Sequence, residues 1–276
     1  MCRVLVVSRS GYYEWRNRPE SARASANEEL LAKIKKVHKD SRKTYGVDRI
    51  YGQLIADGET CGRNRVARLM RNEGIRSKRI KKYKATTDSK HNHPVAENLL
   101  DRDFSVERPD QVWLSDITYV PTDEGWLYVA AVKDLFHKQI VGWSMGERIT
   151  KELAISALDM AESRRQPPRG LIHHSDRGSQ YASGDYQQKL SDYGMLCSMS
   201  KKGDPWDNAP MESFFGTLKT ELVHHRKYKT RAEAKAEIFE YIEVFYNRKR
   251  LQSGLGMKSP EAYEAAYNAQ VVQAAA

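Results

Sequence analysis

The sequence predicts an α/β fold, in which a mixed five-stranded sheet with flanking helices follows a small all-α domain. Two observations lead to this prediction. Apolar residues recur every three or four positions before residue 78, whereas after residue 109 β-rich runs alternate with helical stretches. Basic residues also concentrate in the first part of the chain. With 276 residues and 40% hydrophobic content, the chain is long enough to form a hydrophobic core.

Three short helices are predicted between residues 28 and 77. The first follows Asn27, its predicted N-cap, and places Leu30 and Ile34 on one apolar stripe. The second ends at Gly58 and the third at Gly74, because glycine commonly terminates helices. Short helices joined by tight turns favour a helix-turn-helix unit, a motif that places one helix against DNA.

The third of these helices has a strongly basic surface. Its apolar residues can pack inward, and four arginines cover much of the remaining surface: Arg63, Arg65, Arg68 and Arg71. A solvated helix more often mixes Glu with its Arg, so this composition favours contact with DNA. An ordinary solvated face is the alternative.

Charge divides the chain into two unequal parts. The net charge is +10, but residues 1–100 hold 23 Lys and Arg against 11 Asp and Glu, which gives +12, and the remaining 176 residues carry −2. The segment after the helices has almost no aliphatic side chains and is predicted to lie along phosphates through Lys78, Arg79, Lys81 and Lys82. The first part is therefore predicted to hold a polyanion, and nucleic acid is favoured over a merely solvated surface.

The predicted domain boundaries follow these changes in composition. Residues 1–27 form an N-terminal leader segment, residues 28–77 the helix-turn-helix domain, and residues 78–108 a basic linker. Residues 109–265 form the α/β domain, and the Ala-rich residues 266–276 are predicted to be a flexible tail.

The sequence of the α/β part predicts three strands, a helix, a strand, a helix, a short strand and further helices, in this order. The first three runs, "VWLSDITYV", "GWLYVAAVKDL" and "KQIVGWSM", are joined by short turns and predict an antiparallel meander. The later strands, "GLIHHSD" and "MLCSMS", follow helical stretches. This order predicts a ribonuclease-H-like mixed sheet of five strands.

Several classes of protein are not indicated. No run of about 18 apolar residues is present, and the apolar stretch at the N-terminus is too short for a signal peptide. The three cysteines are far apart, which favours neither a disulfide framework nor a thiolate metal site. We therefore expect a cytoplasmic protein with reduced thiols and no membrane partner.

Three carboxylates stand out in this part of the chain. Asp116 interrupts an apolar strand, Asp176 ends a later strand, and Glu212 lies in a predicted helix with Lys219 seven positions further on the same face. Two of these residues also have an ordinary structural explanation. Asp116 could form an ion pair within the sheet, and Glu212 and Lys219 could be a solvent-exposed pair. Three carboxylates brought within about 4 Å repel by roughly 4 kcal/mol per pair at an effective dielectric of 20, so a cluster of them favours a divalent cation. Oxygen ligands select Mg²⁺ or Mn²⁺.

The spacing resembles the catalytic core of retroviral integrases and many insertion-sequence transposases, with 35 residues between Asp176 and Glu212. The stretches "WLSDITYV", "HHSDRGSQY", "DNAPMESFFGTLKTEL" and "YNRKR" are similar to the second-frame product, OrfB, of the IS-three group of transposases. Upstream stretches such as "SRSGYYEW" and "RVARLMRNEGI" extend this resemblance over nearly the whole chain. Gln252 departs from the pattern, since the group usually has His there.

The resemblance implies a DDE transposase that cleaves and joins DNA with two Mg²⁺ or Mn²⁺ ions per active site. Asp116 is expected to bridge the ions, and Asp176 and Glu212 to complete one ligand shell each. Lys219 is expected to bind a phosphate near the scissile bond, with Asn208 positioning the helix of Glu212 and His174 bracing its strand. The implied partners are double-stranded DNA at the element ends and target, further copies of the chain on DNA, and the upstream-frame OrfA product as a fusion or partner.

Two other functions stay open at this point. One is a ribonuclease-H-like DNA nuclease that cuts without joining. The other is a non-catalytic DNA-binding regulator on an enzyme scaffold, which the presence of all three carboxylates and Lys219 disfavours.

Overall fold

The computed structural model describes residues 4, 7–19, 21–78, 96–101, 103–201 and 205–275. The chain divides into two compact units, Met1–Ser77 and Lys78–Ala276. Arg79, Lys81 and Lys82, which are predicted to contact DNA, lie outside the described residues.

In the residues described for the first unit there are four helices, α1 (Arg9–Asn17), α2 (Ala22–Asp40), α3 (Val47–Ala56) and α4 (Arg63–Asn72). Apolar side chains from α2, α3 and α4 form its core: Leu30, Ile34, Ile50, Leu54, Val66, Leu69 and Met70. Gly58 and Gly74 follow α3 and α4 with φ of 86° and 65°, values that favour glycine. The predicted ends of these two helices are therefore confirmed.

The predicted start of α2 is wrong. The helix begins at Ala22, because the Ser21 hydroxyl accepts a hydrogen bond from the Ala24 N–H and so caps it. Asn27 lies inside the helix, where its Oδ1 accepts from Arg65 Nε at 2.8 Å. The predicted leader segment accordingly contains α1 and the first turn of α2.

The second unit is built on five strands, β1 (Val112–Thr122), β2 (Gly125–Asp134), β3 (Ile140–Gly146), β4 (Ile172–Ser175) and β5 (Leu196–Met199). Their order in the sheet is β3-β2-β1-β4-β5. The pairs β1–β2 and β2–β3 are antiparallel, whereas β1–β4 and β4–β5 are parallel. This is the predicted ribonuclease-H-like sheet, with β1 at its centre.

The helices of this unit are α5 (Lys151–Arg165), α6 (Gly184–Asp192), α7 (Ala209–Glu221), α8 (Arg231–Glu240) and α9 (Pro260–Ala275). Helix α5 approaches β3 closely at Gly142, where a Cβ atom would lie 2.2 Å from the Ala157 carbonyl oxygen. A side chain at this position would therefore separate α5 from the sheet. The resulting core includes Trp113, Val132, Leu158 and Tyr186.

Two predicted segments differ from the structure. Helix α9 continues through residue 275, so the predicted tail is helical, and the Tyr267 ring lies 4.8 Å from that of Phe136. The end of the predicted linker packs on the sheet, because the Glu97 carbonyl accepts from the Met199 N–H and the Leu99 N–H donates to Ser198 Oγ. Residues 97–99 are therefore held against β5 by these two hydrogen bonds.

None of the helices in the described ranges is long and apolar enough to cross a membrane.

Candidate active site

Asp116 and Asp176 lie side by side at one edge of the sheet. Strands β1 and β4 are parallel and paired through Ser115 and Ser175, so the residue that follows each of these is an aspartate. Asp116 is half-buried, and its Oδ1 accepts from the Ile117 N–H at 2.8 Å. Asp176 begins the loop after β4 and accepts from the Gly178 N–H at 2.9 Å. The carboxyl ends of parallel strands are where α/β sheets bind ligands.

The surroundings of Asp116, including the nearby carboxylate of Asp176, disfavour its charged form. Burial, the largest effect, together with the charge of Asp176 and a smaller effect of Glu212, raises the pKa of Asp116 to about 8. The Ile117 N–H and the ammonium of Lys219 act in the opposite direction. Burial and the adjacent carboxylate both disfavour the charged form of Asp116, so the metal-free protein favours its protonated form near neutral pH.

Glu212 lies in the first turn of α7 and is exposed. Its charge acts on Asp116, which places the two carboxylates in the same region. In the described part of the chain, however, no three His, Cys, Asp or Glu side chains are close enough together to hold a metal ion. The structure therefore brings the two aspartates together, with Glu212 close by but outside a shared ligand set.

Two buried hydrogen bonds fix the start of α7 against the sheet. Asn208, directly before α7, donates from Nδ2 to the Ser115 carbonyl at 3.2 Å. Lys133, buried on β2, donates from Nζ to the Pro210 carbonyl at 2.8 Å. Burial, and to a smaller extent Lys138 and Arg250, lowers the pKa of Lys133 to about 7. Asn208 was predicted to position α7, whereas Lys133 was missed, although a lysine within the apolar run "YVAAVKDL" was a visible signal.

Lys219 contacts an aromatic side chain and is influenced by the charge of Asp116. Its Nζ is 4.6 Å from the centroid of the Tyr119 ring. Burial lowers the pKa of Lys219, while the negative charge of Asp116 raises it. The ammonium therefore faces the region of Asp116 from α7.

Tyr181 was also missed in the sequence analysis. Its hydroxyl is buried and has no hydrogen-bond partner among the residues that the structure describes. Burial, then the charges of Tyr186, Asp116 and Asp176, raise the pKa of Tyr181. A neutral phenol thus lies near the two aspartates with an unused donor. Its position in the stretch "HHSDRGSQY", five residues after Asp176, was the only available signal.

The two histidines before Asp176 are buried and join three strands. His174 contacts Ser198 Oγ at 2.8 Å and Ser200 Oγ at 3.1 Å, and His173 Nε2 contacts Ser115 Oγ at 2.8 Å. Burial lowers the pKa of His173 to about 3 and that of His174 to about 4, so both rings are neutral. Their contacts are those of residues that brace a strand.

The predicted DNA-contact residues of the first unit differ in their surroundings. Arg63 pairs with Asp48 at 2.6 Å, and Arg65 is half-buried against Asn27. Arg68 and Arg71 are exposed and make no side-chain hydrogen bond or ion pair among the described residues. In the second unit, Lys78 donates to the Glu221 carbonyl at 3.4 Å. Of the four arginines of α4, Arg68 and Arg71 are therefore the exposed ones that no other described side chain of the first unit holds in a hydrogen bond or ion pair.

Gln252, the departure from the family pattern, is buried. Its backbone N–H donates to the Lys258 carbonyl, and its Nε2 has no partner among the described residues.

Comparison with known proteins identifies the family. Residues 25–83 match the family model of an HTH-like domain. Residues 106–205 and residues 212–266 each match a family model of the integrase core domain. The insertion element IS600 uncharacterized 31 kDa protein of Shigella sonnei is 50% identical over 97% of this chain and 98% of its own length. Transposase InsF for insertion sequence IS3A of Escherichia coli is 43% identical over 96% of this chain and 92% of its own length.

A solved HTLV-2 integrase catalytic core domain in complex with magnesium is 18% identical to this chain. The match covers 56% of this chain and 97% of the solved chain, with a TM-score of 0.44. This similarity is too low to support a conclusion. The near-full-length relatives and the matched domains decide the assignment. The chain belongs to the IS3 family of insertion-sequence transposases, polynucleotidyl transferases that combine a helix-turn-helix-like domain with an integrase core.

Proposed function

We propose that Asp116, Asp176 and Glu212 hold two divalent cations, Mg²⁺ or Mn²⁺, at which this transposase cleaves and joins DNA strands. The observation that carries the proposal is the register of β1 and β4, which sets Asp116 and Asp176 next to each other at the edge of the sheet. The assignment of Glu212 is supported by its 35-residue interval from Asp176, which resembles that of the DDE group.

The residues present fit a hydrated divalent cation. The donors are carboxylate oxygens, which Mg²⁺ and Mn²⁺ prefer. The mutual repulsion of Asp116 and Asp176 is relieved by a cation, and the orphaned Tyr181 hydroxyl could donate to a water or carboxylate oxygen there. When bound, such ions activate the attacking oxygen and stabilise the leaving oxygen of a phosphodiester.

Each residue of the site has a separate role in this proposal. Asp116, Asp176 and Glu212 would hold the ions through their carboxylate oxygens. Lys219 binds a phosphate near the scissile bond. Asn208 and Lys133 hold the start of α7, and therefore Glu212, against the sheet, while His174 fixes the strand that ends at Asp176.

The proposal includes partners that follow from the family. The helix-turn-helix unit binds the ends of the element, and the integrase core acts on these ends and on target DNA. The chain works as a homo-oligomer on DNA, alone or with the upstream-frame OrfA product. Arg68 and Arg71 are the proposed contacts of the first unit because both are exposed.

A strand-transfer assay tests the proposed reaction. The chain is incubated with labelled DNA that carries the terminal sequences of its own element. We expect cleaved and joined products with Mg²⁺ or Mn²⁺, no product in EDTA, and recovery when either ion is added back. Cleaved DNA without joined product would instead indicate the nuclease alternative, and activity with Zn²⁺ alone would contradict the all-oxygen site.

The repulsion at Asp116 also predicts an effect on stability. We expect Asp116→Asn to raise the free energy of unfolding of the metal-free protein by about 1–3 kcal/mol at pH 8. The folded-state pKa of Asp116 is raised to about 8, so the folded protein keeps a proton that the unfolded chain loses above about pH 4. Wild-type stability therefore falls as pH rises through this range, and the asparagine removes that loss.

Urea unfolding in EDTA at pH 5 and pH 8 measures this difference. The gain from Asp116→Asn should be larger at pH 8 than at pH 5. Asp123→Asn, which changes an exposed carboxylate after β1, is the control and should alter stability little at either pH. An equal effect of Asp116→Asn at both pH values would mean that Asp116 is not held at a raised pKa.

A further inference from the structure

An exposed aromatic pair lies beyond Asp116 on the β1–β2 hairpin. Tyr119 and Trp126 meet edge to face, with ring centroids 4.9 Å apart and an interplanar angle of 78°. Trp126 pairs with Pro121 across the hairpin, and Tyr119 lies two residues before Pro121, so both rings project from the same face of the sheet. Trp126 is 49% exposed and Tyr119 is 36% exposed. The indole of Trp126 therefore has a large apolar surface in contact with water.

A cation connects this pair to the proposed catalytic carboxylates. Lys219 Nζ lies 4.6 Å from the Tyr119 centroid, and the charge of Asp116 acts on the same ammonium. Among the described residues, no carboxylate is within ion-pair distance of Lys219. Tyr119 lies three positions after Asp116 on β1, which is about 10 Å along a strand. Lys219 therefore contacts the Tyr119 ring and also responds to the charge of Asp116.

We infer that Trp126 and Tyr119 form a stacking platform for an unpaired base of the DNA strand that enters the active site, with Lys219 on its phosphate. This inference rests on the proposed function, because it takes the strand at the carboxylates to be DNA. An exposed indole offers a flat apolar face, and a neighbouring ammonium offers a charge to the backbone, which together are the elements of single-strand recognition.

The base has to be unpaired because both faces of a base inside a duplex are covered by its neighbours. A stacking platform next to the scissile phosphate would hold a strand whose end has opened. Contact with a partner protein is the competing explanation for exposed aromatic rings, but it gives no reason for an ammonium to lie against the Tyr119 ring and within the electrostatic influence of Asp116.

The test uses the full chain and a DNA duplex with a single-stranded 3′ tail that contains 2-aminopurine. It is done in EDTA, so that binding is measured without metal or cleavage. We expect the wild-type chain to quench 2-aminopurine fluorescence on binding. Trp126→Ala should remove the quenching and weaken affinity for the tailed duplex by about tenfold, with blunt-duplex affinity unchanged. Trp126→Phe should keep most of both signals.

Phe239→Ala is the matched control. Phe239 is 48% exposed and also meets a tryptophan, Trp143, edge to face, at 5.7 Å between centroids. This variant should behave as wild type. If Trp126→Ala and Phe239→Ala both bind the tailed duplex within about twofold of wild type, the platform is excluded. Intact strand transfer without quenching would overturn this inference alone, whereas quenching without strand transfer would overturn the proposed function alone.

Discussion

Asp116→Asn, Asp176→Asn and Glu212→Gln should each reduce cleavage and joining to less than a few per cent of wild type. Each change removes one proposed oxygen ligand while preserving the size of the side chain. Loss of a ligand removes transition-state stabilisation of the phosphodiester, which is the main contribution of a two-ion site. Affinity for the element ends should change by less than about twofold, because phosphate contacts come from cations and not from these carboxylates.

The measurement is a paired assay of product formation and DNA affinity for each variant. Asp123→Asn is the control for removal of a negative charge from the same domain, and it should retain activity. Substantial activity in any one of the three variants would remove that residue from the site. Loss of DNA binding together with activity would point to a folding defect, which the urea experiment on Asp116→Asn detects separately.

Residues 1–95 should carry most of the salt dependence of DNA binding. The charge of +12 on residues 1–100, against −2 on the rest, motivates this expectation. If about six of these cations neutralise phosphates, the logarithm of the association constant should fall against the logarithm of salt concentration with a slope near −5. A fragment of residues 1–95 should keep most of that slope, and residues 96–276 should bind duplex DNA weakly. The cut at residue 95 keeps the contact of Glu97 with β5 intact.

Single arginine variants of the full chain refine this measurement. Arg68→Ala and Arg71→Ala should each weaken binding and reduce the slope by about one, since both side chains are exposed. Arg63→Ala is the matched control on α4 and should have a smaller effect, because Arg63 pairs with Asp48. A steep slope for residues 96–276 and a flat one for residues 1–95 would show that the charge asymmetry does not report the DNA-binding unit.

The sheet could be predicted from the sequence because its signals are local. Alternating apolar residues identify β1 to β3, and the helical stretches between β3, β4 and β5 require parallel crossovers. The adjacency of Asp116 and Asp176 then follows, since each comes directly after a residue of the paired strands. Their roles as metal ligands stay predictions that the activity measurements address.

What the sequence analysis missed depends on contacts between distant residues. Lys133 reaches the start of α7 at Pro210, 77 positions away, and nothing near Lys133 in the sequence indicates that contact. Tyr181 appears in the motif of Asp176, but its unpartnered hydroxyl is visible only in the packed structure. The start of α2 was misplaced because Asn27 and Ser21 are both good N-caps, and the structure uses Ser21 for the cap and Asn27 to hold Arg65.

Binding of Mn²⁺ to the full chain tests the central claim most directly. Calorimetric titration of wild type and Asp116→Asn, with Asp123→Asn as control, measures how many Mn²⁺ ions bind only when the Asp116 carboxylate is present. We expect the wild-type chain and the control to bind about two more ions than Asp116→Asn. Equal numbers of ions, bound with equal affinity in wild type and Asp116→Asn, would contradict a metal site at Asp116.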